Sequence, residues 1–114
     1  MTITPEATAE EAIVLMQSTG ISQLPVVQHG RPVGSVQEIT LARVLHDQGD
    51  PKQVIVGDIM AKPLPQLELR THLDEAYRLL MAGNTGVLAV EDGKVVDIIT
   101  RIDLIQYWNQ TRKG

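Results

Sequence analysis

Apolar residues in this chain follow two alternating spacings. Ala12, Leu15 and Met16, and later Leu73, Ala76, Leu79 and Leu80, recur at three and four residues, the period that gives a helix one buried face. Thr8-Ala9-Glu10-Glu11 and Thr71-His72-Leu73-Asp74 each put a hydroxyl at the start and an acid three residues on, a helix-capping pattern. Helices are therefore predicted near 8–19 and 72–82, with Gly20 and Gly83 as stops. Two β-rich runs follow each helix. Leu24 to Gln28 and Pro32 to Val36 flank His29-Gly30-Arg31, and Val87 to Glu91 and Lys94 to Thr100 flank Asp92-Gly93, a strong hairpin signal. A second helix closes each unit, about 38–48 and 101–110, carrying Ile39, Leu41, Ala42, Val44 and Leu45 in one and Ile102, Leu104, Ile105 and Trp108 in the other.

The chain thus repeats itself. Gly20, Val27, Gly30, Val33, Ile39 and Leu41 recur 63 residues later as Gly83, Val90, Gly93, Val96, Ile102 and Leu104, whereas Glu11-Ala12 recurs 64 later as Glu75-Ala76. One residue is missing from the second copy between its first helix and the following strand. The expected fold class is α+β (α/β), with two repeats, each helix, hairpin, helix plus an extra strand. Thr2-Ile3-Thr4 and Gln66-Leu67-Glu68-Leu69 supply those extra strands. One repeat cannot cover its own apolar sheet face, so the two are expected to pack with pseudo-twofold symmetry. The predicted boundaries are repeat one at 1–49, a crossover at 50–65 stiffened by Pro63 and Pro65, and repeat two at 66–114.

Composition narrows the function. With 114 residues the chain is too short for most large enzyme folds. A net charge of −4 without a Lys/Arg run argues against nucleic acid, and no apolar stretch approaches the ~20 residues of a membrane span. No signal-peptide pattern precedes Pro5 and there is no cysteine, so a cytoplasmic location is expected and cysteine-type metal sites are excluded. His29, His46 and His72 lie in three separate segments without ligand spacing, and no nucleophile elbow occurs. His29 reads as a turn residue, and His46 and His72 as solvated helix residues. No catalytic residue, metal or cofactor is expected in this chain.

Several segments together resemble a tandem cystathionine β-synthase (CBS) domain pair, also called a Bateman module. They are Thr4-Pro5-Glu6-Ala7-Thr8 with Glu11-Ala12 and Leu15-Met16; Gly20-Ile21-Ser22-Gln23-Leu24-Pro25-Val26-Val27; Gly57-Asp58-Ile59-Met60; and Ile98-Ile99-Thr100-Arg101-Ile102-Asp103-Leu104. The resemblance implies a site for an adenosyl ligand at Thr100 and Asp103. An ionised Asp accepts hydrogen bonds from vicinal ribose hydroxyls, a helix N-terminus favours an anion, and Arg101 adds a cation nearby. Equally open from the residues alone is that Thr100 caps the last helix with Asp103 in its first turn. The resemblance also places adenine against the other repeat, near Ile3, Ile21, Ser22 and Gln23; Ile21 reads equally well as core.

The corresponding junction of repeat one has Gln37 and Thr40, and Thr cannot make the charge-assisted contact of Asp, so one site per chain is expected. Asp97 replaces a Gly of the family pattern and Leu88 a Pro, and Asp97 disfavours a triphosphate. Asp58 to Pro65 and Thr100 to Trp108 most resemble the regulatory tail of bacterial pyridoxal-phosphate-dependent cystathionine β-synthase-like enzymes. That implies a host catalytic domain as partner and S-adenosylmethionine as effector, with AMP or ATP as alternatives. Gly83-Asn84-Thr85-Gly86 matches a substrate loop of those catalytic domains only by coincidence. A homodimer through helix faces is expected, and a ligand-free structural dimerisation module is the competing reading.

Overall fold

A computed structural model describes the backbone at residues 1–47, 49–71 and 73–113 and side chains as far as Thr111. His72, expected as a solvated helix residue, falls outside the described residues, as does position 48. The chain forms two compact units, Met1–Pro63 and Leu64–Gly114. Residues 50–63, expected as part of a crossover, therefore belong with the first unit.

In the first unit, α1 (Ala9–Thr19) starts at Thr8, whose hydroxyl accepts the Glu11 N–H at 3.2 Å. It stops at Gly20, whose φ of 72° is one an L side chain rarely tolerates. Strands β1 (Gln23–Gln28) and β2 (Arg31–Gln37) form an antiparallel hairpin. The loop is two residues, not three, because His29 and Gly30 both take positive φ (54° and 80°), the twist-matched hairpin turn. His29 is thus a turn residue, as expected. Ile3 joins β1 in parallel, its N–H donating to Pro25 O and its carbonyl accepting the Val27 N–H. The hairpin leads into α2 (Glu38–Asp47), which buries Leu41 and Val44.

Beyond α2 the chain makes a 3₁₀ turn (Pro51–Gln53) and a one-turn helix, α3 (Val56–Ile59). The sequence marks Gly49 to Gln53 as a turn, but α3 was not expected, since four residues containing Gly57 show no helical period. Hydrogen bonds of 2.8 Å from Ala9 N–H to Val54 O, Val56 N–H to Ala7 O and Gly57 N–H to Pro5 O lash this segment to the N-terminal residues. One core results. Ile3, Ala12, Met16, Leu24, Val26, Val36, Leu41, Val44, Val54 and Val56 all belong to it.

In the second unit, β3 (Gln66–Glu68) runs parallel to β4 (Val87–Glu91), which pairs antiparallel with β5 (Lys94–Ile99). The turn residues Asp92 and Gly93 have φ of 54° and 80°, the same as His29 and Gly30. The register irregularity between Val26 and Val27 recurs between Ala89 and Val90. Helix α4 (Leu73–Met81) precedes the hairpin, and α5 (Arg101–Lys113) follows it, extending past the expected end at 110. The missing residue is absorbed in the last turn of α4. Gly20 N–H reaches four residues back to Met16 O, whereas Gly83 N–H reaches three back to Leu80 O, a tighter turn. The core is divided: Leu64, Leu88 and Val90 pack together, and Leu80, Val87 and Leu104 form a separate cluster with Trp108 at its margin.

Candidate functional site

The residues singled out in the second repeat lie where β5 gives way to α5. Leu104 is buried among Leu80 and Val87, while Arg101, Ile102 and Asp103, in the first turn of the same helix, are exposed. Thr100 is half-buried. Its backbone N–H and its hydroxyl both donate to Asp103 Oδ2, at 2.8 and 3.0 Å, while Thr100 O accepts the Asp103 N–H at 3.1 Å and the Leu104 N–H at 3.3 Å. Helix capping is therefore present, with the carboxylate rather than the hydroxyl as the acceptor. The same bonds aim the carboxylate: one oxygen is occupied by Thr100, and Oδ1 has no hydrogen bond among the described residues. A fixed, exposed carboxylate oxygen beside a helix N-terminus can accept a sugar hydroxyl.

Repeat one is built differently at this point. Gln37 and Thr40 are half-buried, and Glu38 N–H donates to Ser22 O at 3.1 Å, tying the loop after α1 to the start of α2. Gln23 pairs in register with Gln37 and is 6% exposed. Of the residues expected to meet adenine, Ser22 is exposed, Ile21 is half-buried against the core, Gln23 is buried, and Ile3 is inside the core with 6% exposure. Ser22 and one side of Ile21 thus remain accessible, while Ile3 presents chiefly backbone, already used in pairing with β1.

The loop after α4 explains itself structurally. Both the backbone N–H and the side-chain Nδ2 of Asn84 donate to Leu79 O, at 3.4 and 2.8 Å, closing the helix end. In register, Gly86 follows on from the Val87–Ile99 pair toward Thr100, where repeat one pairs Gln23 with Gln37. Sequence reasoning treated Gly86 only as part of a chance motif; the offset of 63 from Gln23 was the signal that marks it as a neighbour of the junction.

Other candidate chemistry is sparse. Exposed His46 contacts the adjacent Asp47 at 2.7 Å, a local surface pair. A depression lined by Glu68, Leu69, Arg70, Glu91 and Asp92 lies at the turn end of the second sheet, the end away from Thr100. Among the described residues no group of three or more His, Asp or Glu side chains is placed to hold a metal ion, and no helix is long and apolar enough to cross a membrane.

A mixed α+β unit occurs twice, each time with the same hairpin turn and bulge, and the second copy carries an exposed Asp103 carboxylate at its strand-to-helix junction. The chain belongs to the CBS domain family, which matches residues 1–47 and 56–109. It is 31% identical over 110 residues to an uncharacterized protein of Methanopyrus kandleri, spanning 93% of this chain and only 56% of that protein, so it covers about half the length of this curated relative. Among solved structures it is similar to CBSX2 of Arabidopsis thaliana in complex with AMP (25% identity, TM-score 0.83, 98% of this chain and 89% of that one). A protein with CBS domains from Burkholderia ambifaria matches at 28% identity and TM-score 0.79 over 94% of this chain and 80% of that one. AcuB of Vibrio cholerae, at 18% identity and TM-score 0.86 over 98% and 84%, shares the fold.

Proposed function

We propose that this chain is a sensor module that binds one adenosyl compound and so regulates a host enzyme. The observation carrying this reading is the Thr100–Asp103 junction, where Oδ2 is pinned by Thr100 and Oδ1 is left exposed to accept a ribose hydroxyl. CBSX2, solved with AMP, supports the ligand class. Arg101 contributes a cation at the helix start, and the adenine is assigned to Ile3, Ile21, Ser22 and Gln23 of the first repeat. S-adenosylmethionine is the favoured effector, ahead of AMP and ATP, because Asp97 adds negative charge close in sequence to the junction. The host is assigned as a pyridoxal-phosphate-dependent cystathionine β-synthase-like enzyme of the cytoplasm. Regulation then requires that the ligand bind one arrangement of the repeats more tightly than another.

A second reading has its own observation. Thr100 and Asp103 already satisfy each other as a helix cap, and Ile39, Leu45, Ile102, Ile105 and Tyr107 are exposed apolar residues on α2 and α5. Those features suit a homodimerisation module that needs no ligand.

A thermal-shift titration with S-adenosylmethionine, AMP, ADP and ATP separates the two. The sensor gives a saturable rise in melting temperature for at least one ligand, lost in Asp103→Ala, because a ligand selective for the folded state stabilises it. No shift with any of the four at millimolar concentration supports the dimerisation module instead.

A further inference from the structure

Thr100 commits two donors to one oxygen of Asp103. Its backbone N–H reaches Oδ2 at 2.8 Å and its hydroxyl reaches the same Oδ2 at 3.0 Å, while the Asp103 side chain is exposed at the start of α5. A carboxylate offers about four lone-pair directions, two on each oxygen, so both directions of Oδ2 are occupied from within the protein. A ligand is left with Oδ1. The two lone pairs of Oδ1 diverge widely, whereas the oxygens of a vicinal diol stand about one hydrogen-bond length apart, so the two hydroxyls cannot both lie along them. A second ligand hydroxyl could reach Oδ2 only by displacing the Thr100 hydroxyl, one hydrogen bond exchanged for another with no net gain.

We infer that the Thr100 hydroxyl sets the sugar specificity of this site: it limits Asp103 to one hydroxyl of the ligand, so that a deoxyadenosyl compound lacking the other is accepted as well as its ribose counterpart. The inference rests on the adenosyl reading above and adds to it which sugars are admitted. A site that hydrogen-bonds a hydroxyl rejects an analogue lacking it, because the protein acceptor is left unpaired, and a hydroxyl that meets no such acceptor is not read. Thr100 acts here through Asp103, as a positioning residue. Its two bonds differ in kind. The N–H is fixed by the backbone where β5 ends, whereas the hydroxyl is a side-chain group that a substitution can remove alone. Without that hydroxyl, Oδ2 regains a free direction, and each hydroxyl of a diol then meets its own carboxylate oxygen.

The test is calorimetric titration of the full chain with AMP, 2′-deoxy-AMP and 3′-deoxy-AMP, in wild type, Thr100→Val and Thr100→Ser. In wild type one deoxy analogue is expected to bind within ~3-fold of AMP and the other at least ~10-fold more weakly, the loss of one charge-assisted hydrogen bond. In Thr100→Val, which keeps the side-chain shape and the backbone bond, both analogues are expected to fall at least ~10-fold below AMP. Thr100→Ser restores the hydroxyl and is expected to follow the wild type. If both analogues bind the wild type as AMP does, or both fall tenfold below it, or Thr100→Val keeps the wild-type ratios, the inference is overturned while the adenosyl reading stands. Should Thr100→Val not fold, the wild-type ratios decide alone. A wild type that binds none of the three at millimolar concentration also overturns the inference, and S-adenosylmethionine added to the same sample shows whether the adenosyl reading falls with it.

Discussion

The two repeats have the same hairpin and differ at its two ends. In repeat one the edge of β2 is paired with the linker over Gly34, and the strand-to-helix junction is tied down through Glu38 and Ser22. In repeat two β5 has no strand partner besides β4 among the described residues, and the junction pairs Thr100 with exposed Asp103. Among the described residues, repeat one has one core cluster, whereas repeat two has two smaller ones. The difference is one of construction: the first unit has a continuous core and a paired linker, and the second has two smaller clusters and the Thr100–Asp103 junction.

The largest effect that sharpens this contrast is in the cores. Leu24→Ala is expected to cost about 3–5 kcal/mol and Leu88→Ala about 2–3 kcal/mol, because a small cluster relaxes around a lost side chain more readily than a continuous one. Urea midpoints measure both, and equal costs would break the comparison. Next come the edges. Gly34→Ala is expected to cost about 1–3 kcal/mol by overpacking against Met60, while Asp97→Ala stays within about 0.5 kcal/mol; similar costs would mean that the linker does not pack on Gly34.

Smaller differences are expected at the helix starts. Thr8 accepts the Glu11 N–H, so Thr8→Ala loses the cap outright and costs about 1 kcal/mol. Thr100 donates to Asp103, and the backbone N–H bond survives Thr100→Ala, which should therefore cost no more than about 0.5 kcal/mol. Thermal denaturation of the two variants checks the order. Last, Tyr77 and Trp108 meet edge to face at 5.8 Å on α4 and α5, so Tyr77→Leu should destabilise by about 0.5–1 kcal/mol, and Trp108 fluorescence should report the change.

Much of the architecture was legible because it is periodic. Helical spacing located α1, α2, α4 and α5, Asp92-Gly93 marked a turn, and the offset of 63 exposed the repeat itself. The features missed have no period: the four residues of α3 and the last three residues of α5. Linker packing against repeat one was equally hidden, since Gly34 and Ala61 meet only in space. At the junction, the pairing of Thr100 with Asp103 followed from their spacing of three, but the direction of the hydroxyl bond did not. Ile3, Ile21, Ser22 and Gln23 were legible as a group through the family resemblance; their differing burial depends on where the hairpin packs.

The most direct test of the central claim is isothermal titration calorimetry of the wild-type chain and Asp103→Ala with S-adenosylmethionine and AMP. The account predicts one ligand per chain, because the first repeat has Thr40 where the second has Asp103, and binding weakened at least ~10-fold in the variant. Two ligands per chain, or binding unaffected by the loss of Asp103, would contradict it.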